Sequence, residues 1–234
     1  MNRGRVIFIT GTGTGVGKTT LTCLWVRQLL SRGVAARAVK PLCSGGDGDA
    51  VVLAGAQSGR WNLDEVSPWR FRAALTPLLA ARRQGIEVGL SEVVRFCRSA
   101  ARGNEVLLVE GAGGLRSPMG EGWDAPECIR ALDAAVVVVG WNRLGTINEV
   151  RLTMAGLPRR VAAEAMLCLM TPAEPDQARR SNLDYFRSWL GEGRVVSMPH
   201  LPAGGGDGVE WSGLLRRRGV GLALSALYRK PGLR

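Results

Sequence analysis

Lysine is nearly missing from these 234 residues. Three of the 31 basic residues are lysine (Lys18, Lys40 and Lys230) and the other 28 are arginine. The arginines are scattered, with no basic run of five to eight residues. The formal charge of +11 therefore reads as a bias towards arginine and alanine, and neither nucleic acid nor a membrane surface is expected as a partner. Paired cysteine spacing is also missing. Cys23, Cys43, Cys97, Cys128 and Cys168 are odd in number and contain no C-x-x-C, which argues against a disulfide framework and a zinc site. Reduced, mostly buried thiols are expected. No apolar run approaches the roughly 20 residues that span a bilayer; the longest lies around Ala134–Val139. A leader is not evident either, because Arg5–Thr10 already reads as a strand. These absences lead us to expect a cytoplasmic protein. With no internal repeat, low-complexity tract or domain boundary in view, residues 1–234 are expected to form one domain.

What is present is alternation. Apolar runs of strand length exchange with longer amphipathic segments, the pattern of βαβ units. An α/β fold is expected, with a mainly parallel sheet and helices on both faces. Strands are expected at Arg5–Thr10, Val34–Val39, Glu105–Glu110, Ala134–Gly140, Val161–Leu169 and Val195–Met198. Helices are expected at Thr19–Ser31, Thr146–Ala155 and Pro175–Leu190. Residues 50–102 read as helical with breaks at Pro68, Pro77 and Gly85. Lys40–Asp49 reads as a glycine-rich loop, and the tail after Pro202 as weakly helical.

The strongest local signal is Gly11-Thr12-Gly13-Thr14-Gly15-Val16-Gly17-Lys18-Thr19, placed after a strand and before a helix. That is the setting a phosphate-binding P-loop needs. Glycines let successive N–H groups turn towards phosphate oxygens, and the helix N-terminus adds its positive dipole end. Lys18 supplies a charge for the β- and γ-phosphates, and the Thr19 hydroxyl can ligate Mg²⁺. Thr12 stands where the commonest form of the motif has glycine, so the loop is a variant.

A Mg–nucleotide site also needs carboxylates at strand ends. Glu110 ends the run Val106-Leu107-Leu108-Val109 and precedes Gly111-Ala112-Gly113-Gly114. Asp47-Gly48-Asp49 follows the second strand at the same edge, and either aspartate could serve. Lys40, at the end of that strand, can reach the same crevice.

Taken in order, these residues resemble the dethiobiotin synthetases. The pieces are Gly11-Thr12-x-Thr14-x-Val16-Gly17-Lys18-Thr19, Lys40-Pro41-x-x-Ser44-Gly45, Asp49-Ala50, Val109-Glu110-Gly111-Ala112-Gly113-Gly114 and Leu144-Gly145-Thr146-Ile147-Asn148. The resemblance runs from about residue 5 to about Pro202 and takes in Pro68 and Thr76-Pro77. It implies a P-loop NTPase fold and an ATP-dependent cyclo-ligase of biotin synthesis. That reaction uses 7,8-diaminopelargonate, CO₂ and a nucleoside triphosphate, with Mg²⁺. A carbamate is phosphorylated to a mixed anhydride, and the second amine closes the ureido ring. By the same resemblance Lys18 and Lys40 are the catalytic cations, and Thr19, Asp49 and Glu110 hold the metal. Gly13, Thr14, Gly15, Val16, Gly17, Lys18, Thr19 and Thr20 contact the nucleotide. So do Glu110, Gly111 and Gly113, while Pro199, His200 and Leu201 line its base. Thr14 and Ser44 meet the diamine or carbamate. A homodimer is implied, in which Gly145, Thr146 and Asn148 take the substrate's carboxylate tail from the neighbouring subunit.

Four positions depart from that family. Gly13 and Gly15 replace residues that are often acidic, and Arg143 stands where lysine is common. The stretch Cys168-Leu169-Met170-Thr171 lacks the asparagine expected to read the base, so relaxed nucleotide choice is expected. Three other readings compete with that resemblance. Another amide-forming ligase of the same superfamily, such as a cobyrinate amidation enzyme, would usually carry a glutaminase domain with a nucleophilic cysteine and a histidine. A partition or division-site ATPase would carry a lysine where Gly13 stands, and would draw on the basic amphipathic segment Val220–Lys230 at membranes. A nucleotide-binding paralogue without turnover would follow from the loss at Gly15.

Overall fold

The computed structural model describes residues 4–174, 176–201 and 211–228. Pro175, Pro202 and the Arg229-Lys230 end of the expected tail helix lie outside them. In chain order the elements are β1 (Arg5–Gly11), α1 (Lys18–Ser31), β2 (Ala36–Val39), β3 (Leu42–Ser44), α2 (Gly48–Ala56), α3 (Leu63–Val66), β4 (Trp69–Phe71), α4 (Pro77–Arg83) and α5 (Leu90–Ala101). They continue with β5 (Val106–Glu110), α6 (Ala125–Leu132), β6 (Ala135–Trp141), α7 (Thr146–Ala155), α8 (Arg159–Glu164), β7 (Met166–Met170), α9 (Ala178–Leu190), β8 (Val195–Met198), α10 (Trp211–Arg216) and α11 (Arg218–Tyr228).

Six strands form one parallel sheet in the order β2-β5-β1-β6-β7-β8. Side chains alternate across it, as a strand's two-residue period requires. Phe8, Leu107, Val109, Val136, Val138, Leu167 and Leu169 enter one core, together with residues of α4 to α7 and α9. Ile7, Ile9, Val106, Leu108, Val137, Val139, Met166 and Cys168 enter the other, with residues of α1, α2 and α11. Both faces are covered, which is why these strands read as nearly continuous apolar runs. No helix among the described residues is long and apolar enough to cross a membrane.

The chain runs to one side of β1 for β5 and β2, and to the other for β6, β7 and β8. A switch of this kind opens a crevice beyond the carboxyl ends of the strands on either side of it. Register levels those ends: Ile9 pairs with Glu110, and Gly11 with Val139.

Three expectations need correction. The Lys40–Asp49 segment is not all loop, because β3 lies within it and α2 begins at Gly48. Residues 50–102 are not purely helical, because β4 pairs with β3 through Leu42–Trp69, Cys43–Arg70 and Ser44–Phe71. Three-residue strands are too short to show a period. The strand expected from Val161 starts only at Met166; alanine-rich Arg159–Glu164 is helical, as its composition favours. Helix α6 is an addition, since no element is expected over residues 123–133; the other expected strands and helices fall in place to within a few residues.

Candidate functional site

The loop between β1 and α1 is anchored on both sides by backbone bonds. Thr12 N donates to Val139 O at 2.9 Å, and Leu115 N donates to Gly11 O at 3.2 Å. Gly17, the residue before α1, has φ +94°. That φ favours glycine, and a Cβ there would also crowd the Met170 side chain at 3.0 Å. Helix α1 then starts at Lys18, whose ammonium donates to Gly13 O at 2.8 Å. Val16 turns the other way and is buried in the core beneath the loop.

Beside this loop lies a cluster of four groups. The Thr19 hydroxyl donates to Glu110 Oε1 at 2.6 Å. Lys40 Nζ donates to the same oxygen at 2.7 Å and to Asp49 Oδ2 at 2.5 Å. The Glu110 side chain is 0% exposed, whereas that of Asp49 is 51% exposed and faces the opening. The second carboxylate oxygen, Glu110 Oε2, is buried and has no hydrogen-bond partner among the described residues.

The two lysines respond differently to one environment. Burial pushes Lys18 down from 10.5 to about 8; Glu110 and Asp49 oppose the shift and Lys40 adds to it. Burial also acts against charge on Lys40. There the charges of Glu110 and Asp49, and the hydrogen bonds it donates to both, outweigh it and hold the ammonium above its usual value. The two carboxylates thus favour the charged form of Lys40, whereas burial draws Lys18 towards its titration range.

A cavity of about 600 Å³ opens over the cluster. It brings together Thr14, Gly15, Gly17, Lys18, Thr19 and Thr20 from the loop and α1, with Lys40, Ser44, Asp49, Glu110 and Gly113. Several residues implied by the resemblance stand elsewhere. Gly111 packs against Phe8, where a Cβ would approach its ring to 2.9 Å. Gly145, Thr146 and Asn148 begin α7, away from this cavity; Thr146 is buried, and Asn148 lines a separate groove with Arg151 and Trp189. Pro199, His200 and Leu201 follow β8, and His200 O accepts from Arg217 at 3.5 Å.

Other lining residues carried no expected role. Ala74, Leu75, Thr76, Pro77 and Ser117 also line the cavity. Ser44 Oγ donates to Leu75 O at 2.7 Å, joining that strip to β3. Ser117 Oγ accepts from Gly114 N at 2.9 Å and holds the turn after β5. Only proximity to the Gly111–Gly114 run could have flagged Ser117 in the sequence.

Oxygen donors at Thr19, Asp49 and Glu110, two lysines and a glycine-rich loop at a helix N-terminus suit a polyphosphate with a hard divalent cation. The orphaned Glu110 oxygen fits such a cation. Among the described residues no group of three or more His, Cys, Asp or Glu side chains could cage a metal by itself. Mg²⁺ needs no such cage, since it shares its coordination with substrate phosphates.

A doubly covered parallel sheet with this loop at its switch point defines a P-loop nucleotide-binding protein. Solved structures share the fold. A nucleotide-binding protein from Archaeoglobus fulgidus in complex with ADP superposes with TM-score 0.52 at 16% identity, covering 98% of this chain and 90% of that one. A plasmid partition protein from Borrelia burgdorferi gives TM-score 0.52 at 9% identity, covering 86% and 91%. The family described as AAA domain (AAA_26) matches residues 5–203. Curated relatives are closer in sequence. The ATP-dependent dethiobiotin synthetase of Anaeromyxobacter dehalogenans (strain 2CP-C) is 41% identical over 160 residues, which is 67% of this chain and 72% of that protein. The enzyme of the same name from Xylella fastidiosa (strain Temecula1) is 31% identical over 209 residues, covering 84% and 91%. The chain belongs to the ATP-dependent dethiobiotin synthetase family.

Proposed function

We propose that this chain closes the ureido ring of dethiobiotin from 7,8-diaminopelargonate, CO₂ and a nucleoside triphosphate, with ATP as the family's phosphoryl donor. Family membership supports the reaction class. The observation that carries the residue roles is the convergence of Lys18, Lys40, Thr19, Asp49 and Glu110 on one cavity.

The chemistry brings anions together. One substrate amine adds to CO₂ and loses a proton to give a carbamate. The carbamate oxygen attacks the γ-phosphorus and ADP departs. The second amine attacks the carbonyl carbon of the mixed anhydride, phosphate leaves with the C–O bond, and a proton is lost. Two cations offset the repulsion between carbamate and γ-phosphate. Lys18 opens α1 at the end of the phosphate loop, and Lys40, whose charge Glu110 and Asp49 favour, stands just past the end of β2. Thr14 and Ser44 line the same cavity with hydroxyls suited to the diamine or carbamate. Thr19, Asp49 and Glu110 would hold Mg²⁺, which supplies charge neutralisation at the phosphates when bound. Asp49 is favoured over Asp47 because Asp49 lines the cavity and bonds Lys40.

Two further assignments belong to this reading. A homodimer explains why Gly145–Asn148 lie apart from their own chain's cavity, and Leu144 and Leu152 flank that segment at 80% and 66% exposure. Pro199–Leu201 line the base, following β8 on the far side of β7 from the loop.

The deciding experiment measures phosphate release from ATP with and without diaminopelargonate and bicarbonate. Release that requires the diamine is expected. Release that ignores it, or binding of nucleotide with no turnover under any combination, overturns the proposal.

A further inference from the structure

The phosphate loop is unusually free of side chains. Four of its first seven residues are glycine (Gly11, Gly13, Gly15 and Gly17), and Gly15 adopts φ +72°. Each glycine widens the range of backbone states that must be given up when the loop settles around a phosphate chain. Something outside the loop has to narrow that range beforehand, and the fold supplies a group placed to do so. Trp141 is the last residue of β6 and pairs with Met170 of β7. Its indole Nε1–H donates to Gly15 O at 3.1 Å, across 126 residues of sequence.

The direction of that bond matters. The carbonyl of Gly15 and the N–H of Val16 belong to one planar peptide and point in opposite directions. A hydrogen bond that draws the carbonyl towards β6 turns the Val16 N–H away from β6. Thr14 and Gly15 form the centre of a turn, and no hydrogen bond from the backbone N–H groups of residues 13–15 is found among the described residues, which leaves those groups free for a phosphate cradle. Met170, the pairing neighbour of Trp141, closes the same side by its contact with Gly17. The ends of β6 and β7 thus form a wall behind the loop, opposite the Lys40–Glu110 side.

We infer that Trp141 is a positioning residue for the nucleotide: its indole N–H pre-orders the Gly15–Val16 peptide so that the loop binds polyphosphate without first losing its freedom. It touches neither substrate in this role and acts through the loop alone. The inference rests on the nucleotide reading of the cavity given above.

The test is Trp141→Phe, which keeps an aromatic ring and deletes the donor. ADP binding by calorimetry should weaken roughly two- to tenfold, the worth of one neutral hydrogen bond. KM for ATP should rise by the same factor, with kcat and the KM for the diamine changing less than twofold. The melting temperature without nucleotide should stay within a few degrees of wild type. Unchanged ADP affinity in a normally folded variant overturns the inference. So does a variant whose melting temperature, kcat and both KM values deteriorate together, because that marks a purely structural residue. Wild-type protein that fails to bind ADP at all brings down the nucleotide reading itself, a result distinct from either.

Discussion

Thr19 and Glu110 are joined by a 2.6 Å hydrogen bond that ties the first turn of α1 to the last residue of β5. The same carboxylate oxygen accepts from Lys40, while its twin, Oε2, accepts from nothing among the described residues. Two strand ends and a helix start therefore meet on one side chain. Its free oxygen is buried, where an unpaired acceptor costs about 1–3 kcal/mol. A divalent cation there would relieve that cost. Glu110→Gln keeps the shape and removes the charge. We expect phosphate release to fall on the order of 100-fold, and the Mg²⁺ concentration for half-maximal rate to rise. A Mg²⁺ titration of the variant that matches wild type would remove Glu110 from the metal site.

Lys40→Ala separates catalysis from stability. Removing the ammonium strands a fully buried carboxylate beside a half-exposed one. Breaking a buried pair from one side costs about 3 kcal/mol or more. For a chain of this length that corresponds to a melting temperature lower by roughly 6–12 °C. Turnover should be lost. Lys40→Ala combined with Glu110→Gln should regain much of the melting temperature and none of the activity. If the single variant keeps full turnover, Lys40 is not the cation that meets the γ-phosphate.

The sequence made the strand ends legible because the motifs sit on them. Glu110, Lys40 and the loop Gly11–Thr19 are each anchored to a buried apolar run, and a parallel sheet levels the ends of such runs. Part of the remaining cavity wall was not legible. Thr76-Pro77 belong to the family resemblance, but Ala74, Leu75 and Ser117 come from turns whose positions depend on how β4 and α4 settle on the sheet, and nothing periodic announces them. Trp141 was hidden for another reason: its partner is a backbone carbonyl, which has no residue type. The short β3–β4 pair escaped notice although β3 carries Ser44 into the cavity.

Lys18 gives a pH signature. Its pKa lies near 8, below the usual 10.5, because burial disfavours its charge. The cationic form is therefore intact at pH 7 and is lost as pH rises through about 8. Bound phosphates favour the cation, so nucleotide binding above pH 8 must take up a proton. ADP affinity, measured without added divalent cation, should be flat from pH 6 to 7.5 and should weaken above 8, by up to tenfold per pH unit. The stability linkage has its own sign. Between about 8 and 10.5 the unfolded chain holds the Lys18 proton more tightly than the folded one, so this residue's contribution to stability grows with pH across that window. Flat affinity up to pH 10 would mean that Lys18 stays charged in the free enzyme.

Nucleotide choice turns on the end of β7. The asparagine expected within Cys168–Thr171 is missing, and the hydroxyl in that stretch is already committed: Thr171 Oγ1 donates to Met198 O at 2.6 Å. Its neighbour Met170 offers a thioether and packs against Gly17. The side-chain amide beside this strand end, Asn142, is committed to Arg179 O and Asn182, so among the described residues no free amide there matches the donor and acceptor pattern of a particular base. Sites built to hydrogen-bond a group reject analogues lacking it by about 10⁴-fold or more, whereas apolar contacts discriminate by only about 10²-fold or less. Steady-state comparison of ATP, CTP and GTP should accordingly give kcat/KM values within about 100-fold of one another, with Thr171→Asn widening the gap in favour of ATP. A preference for ATP above about 10⁴ in the unaltered chain would require a base-reading group elsewhere, and the segment after β8 at Pro199–Leu201 is where the search would begin.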